Sequence, residues 1–166
     1  MLNAKLMIAV MYSDKEIYSR CKNGLVGEYG EIFKESEEYD FDKFTKYYAK
    51  EMGAGLVKRF LIFVKEINDK IELSDIKHKI TEIEKKYSDE GNRTINLDPG
   101  YLSSKELVLA SFKRGTNYKE QISEKVWLHK VLEFDGNEVK MFWHTFPDYR
   151  EQKDYFLGLT RVILLK

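Results

Sequence analysis

The sequence contains one cysteine, two prolines, two glutamines and no net charge. A single cysteine, Cys21, excludes a disulfide framework and any cysteine-rich zinc site. The 28 basic side chains are balanced by 28 acidic ones. That argues against a general binder of phosphate backbones, though it leaves room for a local basic patch. No apolar run approaches the ~20 residues that a membrane helix needs, so no membrane partner is expected. Met1 to Tyr12 carries one lysine, a short apolar stretch and no small-residue cleavage site, so no signal peptide is expected either. Scarce glutamine beside abundant lysine and glutamate is the trend of hyperthermophile surfaces, and equally that of a lysine-biased genome.

What is present points to one folded domain over residues 1–166. Apolar residues make up 43%, enough for a core, and the 34% that are charged alternate in sign, which excludes disorder. Eleven tyrosines suit a rim or a cleft as well as a core, because each joins an apolar ring to a polar tip.

Lys5 to Tyr12 reads as a buried strand. Ser13 and Glu16 have capping-box spacing for a helix whose stripe is Ile17, Cys21 and Leu25, ending between Gly27 and Gly30. A short strand near Glu31–Glu35 precedes an exposed acidic loop, and Leu56 to Ile67 is the strongest strand. Leu73, Ile76, Ile80, Ile83 and Tyr87 mark one helix face, with Ser74 as cap and lysine, glutamate and histidine facing outward. Thr94 to Leu97 is a strand expected to run into an Asp98-Pro99-Gly100 turn. Strands follow near 107–112, 118–122, 126–134 and 139–143, with a hairpin turn at Asp135-Gly136-Asn137. Pro147-Asp148 opens a last helix, with Asp148 and Glu151 at capping spacing. The Leu164-Leu165 end can dock on the body or on a partner.

The order strand, helix, strand, strand, helix, strand predicts an α+β fold. Its core is a ferredoxin-like βαββαβ unit over about 4–100, and β-hairpins with a C-terminal helix occupy 101–166.

Motifs with chemistry are few. The phosphate loop and the dinucleotide fingerprint are both absent, and Gly53-Ala54-Gly55 precedes a strand rather than a helix. His78 and His129 read as scattered surface or strand residues. His144 adjoins an aromatic turn and is a weak catalytic candidate beside Asp98. Asn96 and Asp98 alternate with Ile95 and Leu97, so they share a face at a strand end. There they hold a ligand, or Asp98 merely accepts backbone hydrogen bonds in its own turn. Tyr47 and Glu51 share a helical face beside Tyr48, where they cap a cleft or simply pack. No metal ligand set is assigned, and the sequence leaves the cofactor and oligomeric state unknown.

Tyr47-Tyr48-Ala49-Lys50-Glu51-Met52-Gly53, Lys58-Arg59-Phe60, Asn96-Leu97-Asp98-Pro99-Gly100-Tyr101-Leu102 and Thr145-Phe146-Pro147-Asp148-Tyr149 together resemble a prokaryotic family designated domain of unknown function 4416. Phe146 stands where that pattern leads one to expect tyrosine. The resemblance implies a cytoplasmic single-domain protein and no particular activity.

The first expectation for function is a small polar or nucleotide-like ligand near the Asn96–Tyr101 turn. Tyr47, Tyr48 and Tyr101 would offer stacking surface, and Glu51, Asn96, Asp98 and Asp148 polar contacts, with Lys58 or Arg59 neutralising an anion. Whether the protein is an enzyme stays open. One alternative is a Mg²⁺-assisted hydrolase of a phosphate-containing substrate, which needs Glu51, Asp98 or Asp148 to converge. The other is a nucleic-acid module stacking bases on Tyr12 and Phe60 to Phe63, although the aromatic-basic signature of that class is weak here.

Overall fold

The computed structural model describes residues 2–164, without the Leu164 side chain, so the Leu164-Leu165 tail lies outside the described residues. The fold mixes helices with one large antiparallel sheet. Nine strands run β1 (Ala4–Tyr12), β2 (Ile32–Glu35), β3 (Tyr39–Asp40), β4 (Val57–Ile67), β5 (Ile95–Ser103), β6 (Glu106–Ser111), β7 (Glu120–Ser123), β8 (Val126–Asp135) and β9 (Glu138–Met141). Their spatial order is β2-β4-β1-β5-β6-β8-β7, with β3 on β4 and β9 on β8. The helices are α1 (Lys15–Tyr29), α2 (Ala49–Met52), α3 (Glu72–Lys86), α4 (Pro147–Glu151) and α5 (Lys153–Leu164). Among the described residues no helix is long and apolar enough to cross a membrane.

The unbroken apolar run of β1 has a simple cause: both of its faces are covered. Leu6, Ile8 and Val10 pack with Cys21 and Leu25 of α1 and with Leu73, Ile76 and Ile80 of α3. Met7 and Ala9 point the other way, onto Tyr149 of α4 and Phe156, Leu159 and Ile163 of α5. A strand with helices on both sides needs no polar alternation.

Several local expectations are corrected. Asp14, not Ser13, caps α1, accepting hydrogen bonds from the Glu16 and Ile17 amides. Ser74 does not cap α3; its hydroxyl donates to Ser123 Oγ at 2.8 Å and ties the helix to β7. Asp148 makes no cap on α4, because its carboxylate is held elsewhere. The acidic loop after β2 is only partly free: β3 pairs with β4, and Glu35 and Glu38 both hold Arg59.

The largest correction concerns Asp98-Pro99-Gly100, which is extended strand inside β5 rather than a turn. All three residues pair with β1. The Leu97 amide leaves the β1 side and donates to Glu84 Oε2 at 2.7 Å. Residues two apart in a strand face the same way, so the missing N–H of Pro99 also falls on that open side and removes no rung to β1.

That open side positions the site. β5 pairs with β6 only from Gly100 to Leu102. Before Gly100, β5 continues on β1 back to Ile95, while β6 continues on β8 as far as Ser111. The two strands therefore part at Gly100 and leave a wedge between them.

Two glycines of α1 are free of packing constraints. A methyl group at Gly24 or Gly27 of α1 meets nothing within 4 Å. Gly24→Ala and Gly27→Ala should each raise stability by about 0.5–1 kcal/mol in denaturant titrations, since glycine in a helix is entropically costly. A loss of stability would mean that the α1 surface is covered.

Candidate functional site

The wedge opens into a cavity of about 640 Å³. One wall is β5 and α3, with Asn96, Asp98, Lys77, Thr81 and Glu84. The facing wall is β6 and β8, with Leu109, Ser111, His129 and Val131 among others. Tyr47, Trp143 and Phe146, respectively 74%, 78% and 69% exposed, stand at its rim.

A polar chain runs along the β5 wall. Glu51 accepts both Nε and Nη2 of Arg93 at 2.9 Å, a bidentate pair, and the Arg93 amide as well. Arg93 Nη1 donates to Asn96 Oδ1 at 2.6 Å. Asn96 Nδ2 donates to Asp98 Oδ2 at 3.1 Å. Asp98 Oδ1 then lies 4.0 Å from Lys77 Nζ. Each link fixes the next, so the Asn96 amide is oriented from both sides and Asp98 keeps one oxygen toward the cavity wall.

Glu84 sits behind this chain. Its carboxylate receives the Leu97 amide and lies 3.9 Å from Arg93 Nη1. Burial, only partly offset by the Leu97 amide and Lys77, pushes its carboxyl up to about 7. The folded protein thus keeps a proton that the unfolded chain releases near 4.5. Stability should fall as pH rises from about 4.5 through about 7. Glu84→Gln, which can still accept the Leu97 amide, should flatten that part of the Tm–pH curve. An unchanged slope would mean that the carboxyl titrates normally.

Of the residues expected to form a site, Tyr47, Tyr48, Asn96, Asp98 and His144 line the cavity. Burial raises the Tyr48 hydroxyl pKa, and the Asp98 carboxylate adds to the effect. Glu51 does not face the cavity but orients Arg93, which does. Tyr101 is placed differently: its ring is fully buried on the α1–α3 side, and its hydroxyl donates to Glu106. It offers no stacking surface. Asp148 lies outside the cavity, paired with Lys58 at 2.8 Å. Neither Lys58 nor Arg59 neutralises anything in the cavity, since Arg59 is held by Glu35, Glu38 and Tyr12.

His144 Nε2–H donates to the Lys130 carbonyl at 3.2 Å, and Nδ1 is buried with no hydrogen-bond partner among the described residues. The ring stands in the cavity wall, stacked on Phe142. Glu51, Asp98 and Asp148 are held by Arg93, Asn96 and Lys58 respectively, and among the described residues no group of three or more histidines, cysteines or acids is placed to hold a metal ion. The sheet surface imagined for stacking bases is covered: Tyr12, Phe60 and Phe63 are fully buried, with Tyr12 stacked on Tyr18.

Sequence reasoning missed Lys77, Glu84 and Arg93. The outer face of α3 looked solvated, yet Lys77 and Glu84 are buried. Their spacing of seven, with Thr81 between them, is a second face of the helix. Nothing in the residue types alone distinguishes it from a wet one. Trp143 ends an expected strand and Phe146 belongs to the Thr145–Tyr149 motif, and neither is expected from the sequence to line a cavity.

No curated protein and no solved structure matches this chain. One sequence family does, over residues 2–162 of the 166, and with that coverage the chain belongs to the family described as Domain of unknown function (DUF4416).

Proposed function

We propose that the protein binds a small polar, nucleotide-like ligand in the cleft between β5 and β6. The observation that carries this reading is the parting of the two strands at Gly100, which leaves about 640 Å³ between a hydrogen-bonding wall and an aromatic rim. A pocket for a small molecule commonly combines such apolar surface with a few fixed polar groups. Asn96 and Asp98 supply the fixed groups, and Tyr47, Trp143 and Phe146 the surface for a planar ring. The same reading takes β1, α1, β2, β4, α3 and β5 as a ferredoxin-like unit. Its support is the order β2-β4-β1-β5, antiparallel at each step, with α1 and α3 on one face. It also places the protein in the cytoplasm, which a lone free cysteine suits.

The test is a thermal-shift screen against nucleotides, sugar phosphates and divalent cations, alone and in pairs. A ligand at a hundred times its Kd should add about 2.7 kcal/mol, roughly 5–10 °C for a chain of this length. The shift should shrink in Asp98→Asn and in Trp143→Ala. A shift that survives both variants would move the site elsewhere, and a flat panel would reject the reading for these ligand classes. A shift that needs metal and nucleotide together would favour metal-assisted hydrolysis instead.

A further inference from the structure

We propose that Lys77 anchors an anionic group of the ligand, a phosphate or a carboxylate, while Asp98 Oδ1 takes an adjacent hydroxyl or ring N–H. This rests on the cleft being the binding site and specifies what it selects.

The argument begins with the cations that line the cavity. Arg93 is committed to Glu51 and Asn96. Lys130 is committed to Glu106 and Glu133, at 3.1 and 3.0 Å. Lys113 is exposed. Lys77 differs from all three. It is 9% exposed, its Nζ lies 5.3 Å from the centroid of the Phe112 ring, and it has no hydrogen-bond partner among the described residues. Its nearest carboxylate oxygen, Asp98 Oδ1, stands 4.0 Å away, beyond hydrogen-bond reach.

An ammonium has three N–H donors and no acceptor capacity. The Lys77 side chain is 11% exposed and lines the cavity, so its donors are reached from the cavity side. A ligand oxyanion in the cavity meets them, beside the ring of Phe112. Asp98 is half satisfied in a complementary way: Oδ2 accepts from Asn96, while Oδ1 points toward Lys77. One acceptor group and one donor group, side by side on the ligand, would satisfy both residues.

Glu84 is the obvious objection, since a second carboxylate on the same wall would repel an anion. Its Oε2 is occupied by the Leu97 amide, and burial keeps much of the group protonated near neutral pH. The repulsion is correspondingly small.

The experiment measures Kd from tryptophan fluorescence in a Trp127→Phe background, which leaves Trp143 as reporter. The probes are adenosine and its 5′-monophosphate, uridine and its 5′-monophosphate, and orotate, a uracil ring bearing a carboxylate. In the otherwise native protein the charged probes should bind roughly tenfold to a hundredfold tighter than the neutral nucleosides. Lys77→Gln should reduce that ratio to about one, while Lys77→Arg should keep most of it. The relative affinities of orotate and uridine 5′-monophosphate tell carboxylate from phosphate. If Lys77→Gln does not fold, added salt provides the second readout: it should weaken the charged probes and spare the nucleosides. Equal affinity for charged and neutral probes would overturn the role of Lys77 and leave the cleft reading intact. Binding by none of the five would overturn both.

Discussion

Gly100→Ala should lower the melting temperature by roughly 10 °C, from a loss of about 3 kcal/mol or more, and should damage the cleft along with the fold. A β-carbon at this position would lie 1.9 Å from the carbonyl oxygen of Val108 and 2.9 Å from the α-carbon of Leu109. Both atoms are backbone, so no rotamer change relieves the contact. Relief requires β6 to move away from β5 at one of only three paired positions between them. Those positions hold the β6–β9 half of the sheet against the β1–β5 half. The glycine is therefore required by a close approach of two strands, not by its own dihedral angles. The cleft walls diverge from this same point, so ligand affinity should fall as well. Thermal denaturation of Gly100→Ala beside Gly24→Ala makes the comparison internal, because the second change should stabilise. A Gly100→Ala protein melting within about 2 °C of the native one would show that β6 can retreat and that the junction is soft.

Gly100 also shows how far the sequence could be read. Strands and helices with strong apolar periodicity, such as Val57–Ile67 and Glu72–Lys86, were legible because burial dictates their pattern. The alternation of Asn96 and Asp98 with Ile95 and Leu97 correctly put the two polar residues on one face. What failed was local chemistry overruled by distant partners. Proline and glycine in succession signal a turn, yet here one tolerates an open strand edge and the other a closely paired neighbouring strand. Asp148 had capping spacing, yet a lysine 90 residues away holds it. Ser74, placed to cap α3, reaches across to β7. The α3 flank of the cavity was illegible for the same reason: whether Lys77 faces water or a cleft depends on where β6 goes, and that is a long-range fact.

Asp148→Ala should cost about 3–5 kcal/mol, because it leaves a buried ammonium with no counter-charge. The side chains of Lys58 and Asp148 are 8% and 3% exposed, and Asp148 Oδ2 receives both Lys58 Nζ and the Tyr39 hydroxyl at 2.8 Å. The ammonium is otherwise ringed by aromatics, with the centroids of Tyr149, Phe41 and Phe60 at 4.6, 5.1 and 5.9 Å. Aromatic faces attract a cation but accept little of its hydrogen bonding, so they cannot replace the carboxylate. The double change Lys58→Met with Asp148→Leu removes both charges and keeps apolar volume. It should therefore be more stable than either Lys58→Met or Asp148→Leu alone. A double-mutant cycle in urea, completed with those two singles, measures the coupling. Additive losses would show that water reaches the pair and that its geometry contributes little. The pair also has a positional consequence, since Asp148 is the second residue of α4, two residues after Phe146. Anchoring that residue to β4 holds the Trp143–Phe146 rim at the mouth of the cleft. The double variant should keep its fold and weaken binding of any ligand found for the cleft, because it removes the hydrogen bond from Tyr39 to Asp148; unchanged affinity would show that the apolar packing of Tyr149 on Phe156 sets the rim by itself.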